Sequence, residues 1–172
     1  MKTLNTALIG LLTLMVGCSS SDVETSAEPS SATPDSKYVT ASEPDGAVPV
    51  GEARTSVEND QVVTLLGTIG GSPDPFVEGL AAFTIVDPKV PYCAPEEGCP
   101  TPWDYCCTQD QVKDNIATIK IVDDSGSPIG DDARKLLGVK ELSTVVVRGT
   151  AKRDDRGNLT VAATTVFVRP SE

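Results

Sequence analysis

Five segments of the chain carry the apolar and polar spacing of β-strands, and one short segment between the third and fourth carries that of a helix. Gln61-Val-Val-Thr-Leu-Leu-Gly-Thr-Ile-Gly-Gly71 is the first, with glycines where a strand bends or bulges. Ala81 to Asp87 is the second and places Ala81, Phe83 and Ile85 on one face, and Ser72-Pro-Asp-Pro75 between the two is turn chemistry. Ile116 to Val122 sets Ile119 and Ile121 against Thr118 and Lys120, and Asp123-Asp-Ser-Gly126 stops it. Ser143 to Arg153 and Asn158 to Arg169 flank the turn Asp154-Asp-Arg-Gly-Asn158, and a slip of apolar phase between Ala163 and Val166 predicts a bulge. Asp131 to Gly138 predicts one or two helical turns, with Asp at the start, Lys135 near the end and Gly as the stop.

Three strands, a short helix and two strands are the order of a five-stranded OB-like Greek-key barrel, mostly β, whose first strand coils around the closure. A β-sandwich is the rival, but it leaves the lone helix without a role. The barrel domain is expected over 57–172. Before it, residues 18–56 are rich in Ser, Pro, Ala, Glu and Asp and poor in large apolar side chains, which predicts a disordered acidic tether.

Residues 1–17 have a basic start, a short apolar run from Ala7 to Val16 and a small residue at the end, the make-up of a secretory signal and about half the length of a membrane span. The Gly17-Cys18 step resembles a bacterial lipobox, with Met15 where Leu is usual, and makes Cys18 the expected lipidation site. Anchoring by more than one acyl chain is stable. Ser19 after the Cys fits sorting to the outer membrane, facing the periplasm, by resemblance to Gram-negative lipoproteins.

Without residues 1–17 the chain has 13 basic and 25 acidic residues, a net charge of −12, which repels nucleic acid and anionic lipid surfaces. His is absent. Imidazole acid/base chemistry, Ser-His and Cys-His nucleophiles and His metal ligation are therefore excluded, and the expectation is a non-enzymatic protein. No Asp-x-Asp-x-Asp-Gly loop for Ca²⁺ is present, and Gly70-Gly71 is too short to cradle phosphate.

The densest chemistry is Cys93-Ala-Pro-Glu-Glu-Gly-Cys99-Pro-Thr-Pro-Trp-Asp-Tyr-Cys106-Cys107, in the loop between the second and third strands. With Cys18 lipidated, four cysteines remain, and an oxidising compartment predicts two disulfides. An eight-membered Cys106–Cys107 ring is strained, so each of these two is expected to pair with Cys93 or Cys99. The alternative is a four-thiolate site for zinc or copper, or an iron–sulfur cluster. Against it stands the spacing of five, six and zero intervening residues, which contains no C-x₂-C knuckle. A redox-active pair is the third reading. Glu96, Glu97, Asp104 and Asp110 oppose it by raising the thiol pKa.

Tyr92, Trp103 and Tyr105 lie in the same loop, which is either a cover over one barrel face or a recognition element. With Arg148 and Arg153 of the fourth strand, they are the candidate residues for an unknown protein or small-molecule ligand in the envelope.

The runs Cys99-Pro-Thr-Pro-Trp-Asp-Tyr-Cys-Cys107, Thr68-Ile-Gly-Gly71, Ala82-Phe-Thr-Ile-Val-Asp87 and Arg153-Asp-Asp-Arg-Gly-Asn158 together resemble a group of small lipoproteins of Planctomycete-type bacteria. The resemblance spans about Val62 to Val168 and implies a shared OB-like fold and an envelope location, with nothing about chemistry.

Overall fold

A computed structural model describes residues 36–171. The expected signal segment, the Cys18 lipidation site and the tether up to residue 35 lie outside the described residues. Among the described residues no helix is long and apolar enough to cross a membrane.

The barrel strands are β2 (Val62–Ile69), β3 (Ala82–Val86), β4 (Ile116–Ile121), β5 (Thr144–Arg153) and β6 (Leu159–Val168). β2 pairs antiparallel with β3, β3 with β4, β4 parallel with β6, β6 antiparallel with β5, and β5 closes back on β2. This closed order, with its single parallel β4–β6 ladder, is that of the expected OB barrel. A two-residue strand β1 (Val48–Pro49) lies parallel along Leu65 and Leu66, and β3 takes over the same edge from Thr68, so β2 changes partner across Gly67. A Cβ on Gly67 would come within 2.8 Å of Ile85 Cδ1. The first strand therefore coils where the sequence placed its glycine.

Inward-facing Leu65, Phe83, Ile85, Ile119, Val147 and Val161 are fully buried and fill the barrel. Three short α-helices stand among the described residues, α1 (Val50–Ser56), α2 (Gln109–Val112) and α3 (Ala133–Leu137); α3 sits between β4 and β5 and adds Ala133 and Leu137 to the same core. Its ends use the chemistry expected: the Asp132 carboxylate accepts from the Arg134 N–H at 2.8 Å, and Gly138 takes the left-handed conformation at φ 67°. Between β5 and β6 the register shifts after Arg148↔Thr165, leaving Thr164 unpaired, so the predicted bulge is present.

The structured domain starts earlier than the expected boundary at 57. Tyr38, Val50 and Ala53 are buried in the barrel core, and Val39 bridges Val166 at the edge of β6. The Tyr38 carbonyl accepts from Val166 N–H at 2.7 Å, Thr40 N–H donates to Val166 O at 2.9 Å, and Arg169 pairs with Glu43. Helix α1 (Val50–Ser56) follows β1 directly and packs on β2 and β4. A segment with few apolar residues is ordered here because Tyr38, Val50 and Ala53 dock in the barrel core, with Val39 and Val48 packed against it.

Asp87, at 2% exposure, accepts from the Gly51 N–H at 2.7 Å and the Lys89 N–H at 2.9 Å. Arg153, expected at a ligand face, instead clamps the other end of α1. Its Nε donates to Val57 O at 2.8 Å and its Nη2 to Ala53 O at 3.2 Å and Arg54 O at 2.5 Å. A guanidinium on the last carbonyls of a helix satisfies orphan acceptors and opposes the helix dipole. Arg153→Ala is therefore expected to lower stability by about 2 kcal/mol in urea unfolding, from lost charged hydrogen bonds. Arg153→Lys should recover less than half, because one ammonium cannot reach a fan of carbonyls. An Ala variant as stable as the parent would mean the clamp is ornamental.

Candidate metal centre

The loop 87–115 leaves β3 and returns to β4, and its base is closed by the Asp87 N–H donating to Asn115 O at 2.9 Å. It lies on the end of β2 rather than free in solvent. Gly71 N–H donates to Trp103 O at 2.8 Å, and Trp103 Nε1 donates to Pro73 O at 2.9 Å. Gly70 must be glycine for this approach, since a Cβ would meet Trp103 O at 2.5 Å and Tyr105 Cε2 at 2.9 Å. Tyr105 is buried with Val86, Val90 and Val112 in a second apolar cluster that shares no residue with the barrel core. Burial pushes its phenol up to about 12, with the neighbouring Tyr92 adding to the shift. Tyr105 is thus the pivot under the loop and not a ligand platform.

Tyr105 also sets the direction of the cysteines. Its left-handed backbone (φ 58°) ends the short helical turn Pro102–Asp104 and starts a tight turn, closed by Thr108 N–H to Tyr105 O at 2.8 Å, whose two central residues are Cys106 and Cys107. Asp104 holds this turn by accepting from Cys106 N–H at 2.8 Å and Thr101 Oγ1 at 2.8 Å, bonds that keep its carboxyl below the usual range. In an extended chain adjacent side chains diverge. In this turn the two sulfurs lie 3.8 Å apart.

Thr108 Oγ1 donates to Pro91 O at 2.9 Å and Cys93 N–H to Pro102 O at 3.4 Å, which brings the two halves of the loop together. All four sulfurs then lie within 4.8 Å of one another. Cys93 is 3.3 Å from Cys106 and 3.7 Å from Cys107, and Cys99 is 3.3 Å from Cys106. None of these separations is at the bonded distance of about 2.05 Å. They lie around the edge of about 3.8 Å that a tetrahedron of sulfurs has about one ion with metal–sulfur bonds near 2.3 Å, two of them about 0.5 Å shorter. An iron–sulfur cluster spreads its cysteines over several irons and needs a wider set.

Cys93 is buried, Cys99 half-buried, and Cys106 and Cys107 exposed. The Cys107 backbone N–H and the neighbouring sulfurs draw the Cys93 thiol below its ordinary pKa. Contacts with Cys106 and Cys93 push the Cys99 thiol up, and contacts with Cys93 and Cys106 raise Cys107 to about 11. Four thiolates this close repel one another, and a divalent cation among them removes the conflict. The sulfur neighbours, more than the acidic residues of the loop, govern these groups.

The remaining sequence candidates separate from this centre. Tyr92 is half-exposed and meets Tyr105 edge-on, with ring centroids 6.4 Å apart. Trp103 is partly buried and tied to Pro73. Arg148 donates to Thr64 Oγ1 at 3.3 Å and lines a shallow groove with Gln61, Val62 and Asp45 that contains no residue of the cysteine loop. The residues that sequence reading missed are Gly70 and Gly71 as the seat of the loop. Their signal was a Gly-Gly pair at a strand end, facing a loop rich in aromatic residues.

No family model matches the chain, and no curated protein matches it. Among solved structures the chain is similar to the hypothetical protein ygiW from E. coli, at 15% identity and a TM-score of 0.39, covering 76% of this chain and 98% of that one. It is also similar to an aspartyl tRNA synthetase from Entamoeba histolytica, at 9% identity and a TM-score of 0.41 over 79% of this chain, and to a putative aspartyl-tRNA synthetase from Leishmania major Friedlin, at 10% and 0.38 over 77%. The chain spans 26% and 22% of those two synthetases respectively.

Proposed function

We propose that the chain is a non-enzymatic metal-binding lipoprotein of the bacterial cell envelope, an OB-like barrel that presents one soft cation in a Cys93, Cys99, Cys106, Cys107 tetrathiolate. The observation that carries the reading is the mutual approach of all four sulfurs to within 4.8 Å in a loop fixed to the barrel. Sulfur ligands select Zn²⁺ or Cu⁺ among available ions, and tetrahedral spacing favours Zn²⁺. Binding displaces up to four thiol protons, so uptake strengthens as pH rises. The envelope location rests on the signal-like segment and the Gly17-Cys18 step.

The full chain, purified reduced and exposed to zinc without oxygen, is expected to retain about one zinc per chain after desalting, by elemental analysis. Alkylation should find the four loop thiols protected until a chelator is added. A chain that stays metal-free with those four thiols open to alkylation contradicts the reading.

A further inference from the structure

Beyond holding an ion, the arrangement of the same sulfurs implies a way of letting it go; this step rests on the metal reading above. We propose that the centre is redox-gated: a disulfide-bearing oxidant closes the four thiolates into Cys93–Cys107 and Cys99–Cys106 and so discharges the ion.

The connectivity follows from the contacts. Cys106 and Cys107 are 3.8 Å apart, but bonding them makes a strained ring between adjacent residues. That excludes its complement, Cys93–Cys99. Pairing Cys93 with Cys106 leaves Cys99 to reach Cys107, a cross pair with no thiol hydrogen bond between them. The remaining set joins Cys93 with Cys107, 3.7 Å apart, and Cys99 with Cys106, 3.3 Å apart, and each closes by less than about 2 Å to a disulfide.

Access orders the steps. The exposed Cys106 thiolate attacks the external disulfide R–S–S–R, forming Cys106–S–S–R and expelling one thiolate RS⁻. Cys99 then attacks the Cys106 sulfur and expels the second RS⁻. Two sulfurs no longer bind the ion. The exposed Cys107 repeats the attack on a second oxidant molecule, and Cys93 resolves it. In sum, four cysteine thiolates lose four electrons, two external disulfides become four thiols by taking up those electrons and four protons, and M²⁺ leaves. Reduction reverses each step.

The cycle is reversible because the frame of the loop is built from groups other than the four sulfurs: Gly71 to Trp103, Trp103 to Pro73, Thr108 to Pro91 and the burial of Tyr105. A released centre stays poised to rebind, unlike a small zinc domain that unfolds without its metal.

The test titrates the zinc-loaded full chain with oxidised glutathione, reading zinc with a chromogenic chelator and thiols by alkylation and mass. The expected result is one zinc released per two oxidised glutathione molecules consumed, two disulfides formed, and full rebinding after reduction. Cys106→Ser, at an exposed turn position, identifies the pairs: once oxidised it should hold Cys93–Cys107 and leave Cys99 as the alkylated thiol. Alkylation at Cys93 instead overturns the connectivity. Zinc retained with four reduced thiols under a large excess of oxidant overturns the gating and leaves the metal reading standing. A chain that takes up no zinc from the start fails both.

Discussion

Cys93→Ser is expected to reduce zinc affinity by about 100-fold or more, measured by competition with a chelator of known affinity. Cys93 is the buried sulfur of the four and touches both Cys106 and Cys107. Serine offers a shorter, harder oxygen that is protonated at neutral pH, so three thiolates remain and the inner corner of the tetrahedron is gone. Loss of residues that merely support a ligand already costs about 10–100-fold, and removal of the ligand itself should exceed that. The consequence for stability follows from linkage. Zinc at 1,000 times its Kd stabilises the native state by about 4 kcal/mol, so the parent Tm should rise with zinc by roughly 10 °C and that of the variant much less. The parent without metal should melt close to the variant, because Ser fills nearly the same space. Equal zinc affinities in the two chains would remove Cys93 from the ligand set.

Gly149→Ala is expected to cost about 3 kcal/mol or more, read as a lower urea midpoint or a Tm lower by roughly 10 °C. Gly149 faces the β6 bulge, where Arg148↔Thr165 gives way to Gly149↔Ala163. A Cβ there would collide with the Ala162 carbonyl and lie 2.6 Å from Ala163 Cα. Both are backbone atoms of a paired strand, so no rotamer change relieves the clash. The ladder must shift or the bulge must move, and either disturbs the parallel β4–β6 ladder, in which Ala162 and Ala163 pair with Lys120 and Ile121. Zinc binding should survive in whatever fraction is folded, since the cysteine loop belongs to the other end of the pairing, at β3 and β4. Normal stability would mean the bulge is free to relocate.

The barrel was legible because each strand carries its own instruction. Phe83 and Ile85 alternate inward, Asp123-Asp-Ser-Gly126 ends β4, Asp132 and Gly138 bracket α3, and the phase slip after Ala163 is the bulge itself. The segment before Val57 was not legible. Tyr38, Val50 and Ala53 make no periodic pattern, α1 holds a glycine at its second position, and its ends are held by Asp87 and Arg153 from far along the chain. The cysteine cluster was half legible. Four cysteines in one loop were obvious, but their convergence depends on a left-handed tyrosine and on a Gly-Gly seat on β2, and neither follows from cysteine spacing.

The described residues thus enclose two apolar interiors of unequal size, one within the barrel and one beneath the loop around Tyr105. Because they share no side chain, opening one does not wet the other, and the loop can breathe as its own cooperative unit. An ion or a disulfide at the sulfurs is expected to slow that small opening first, before any effect on the exchange of the barrel strands.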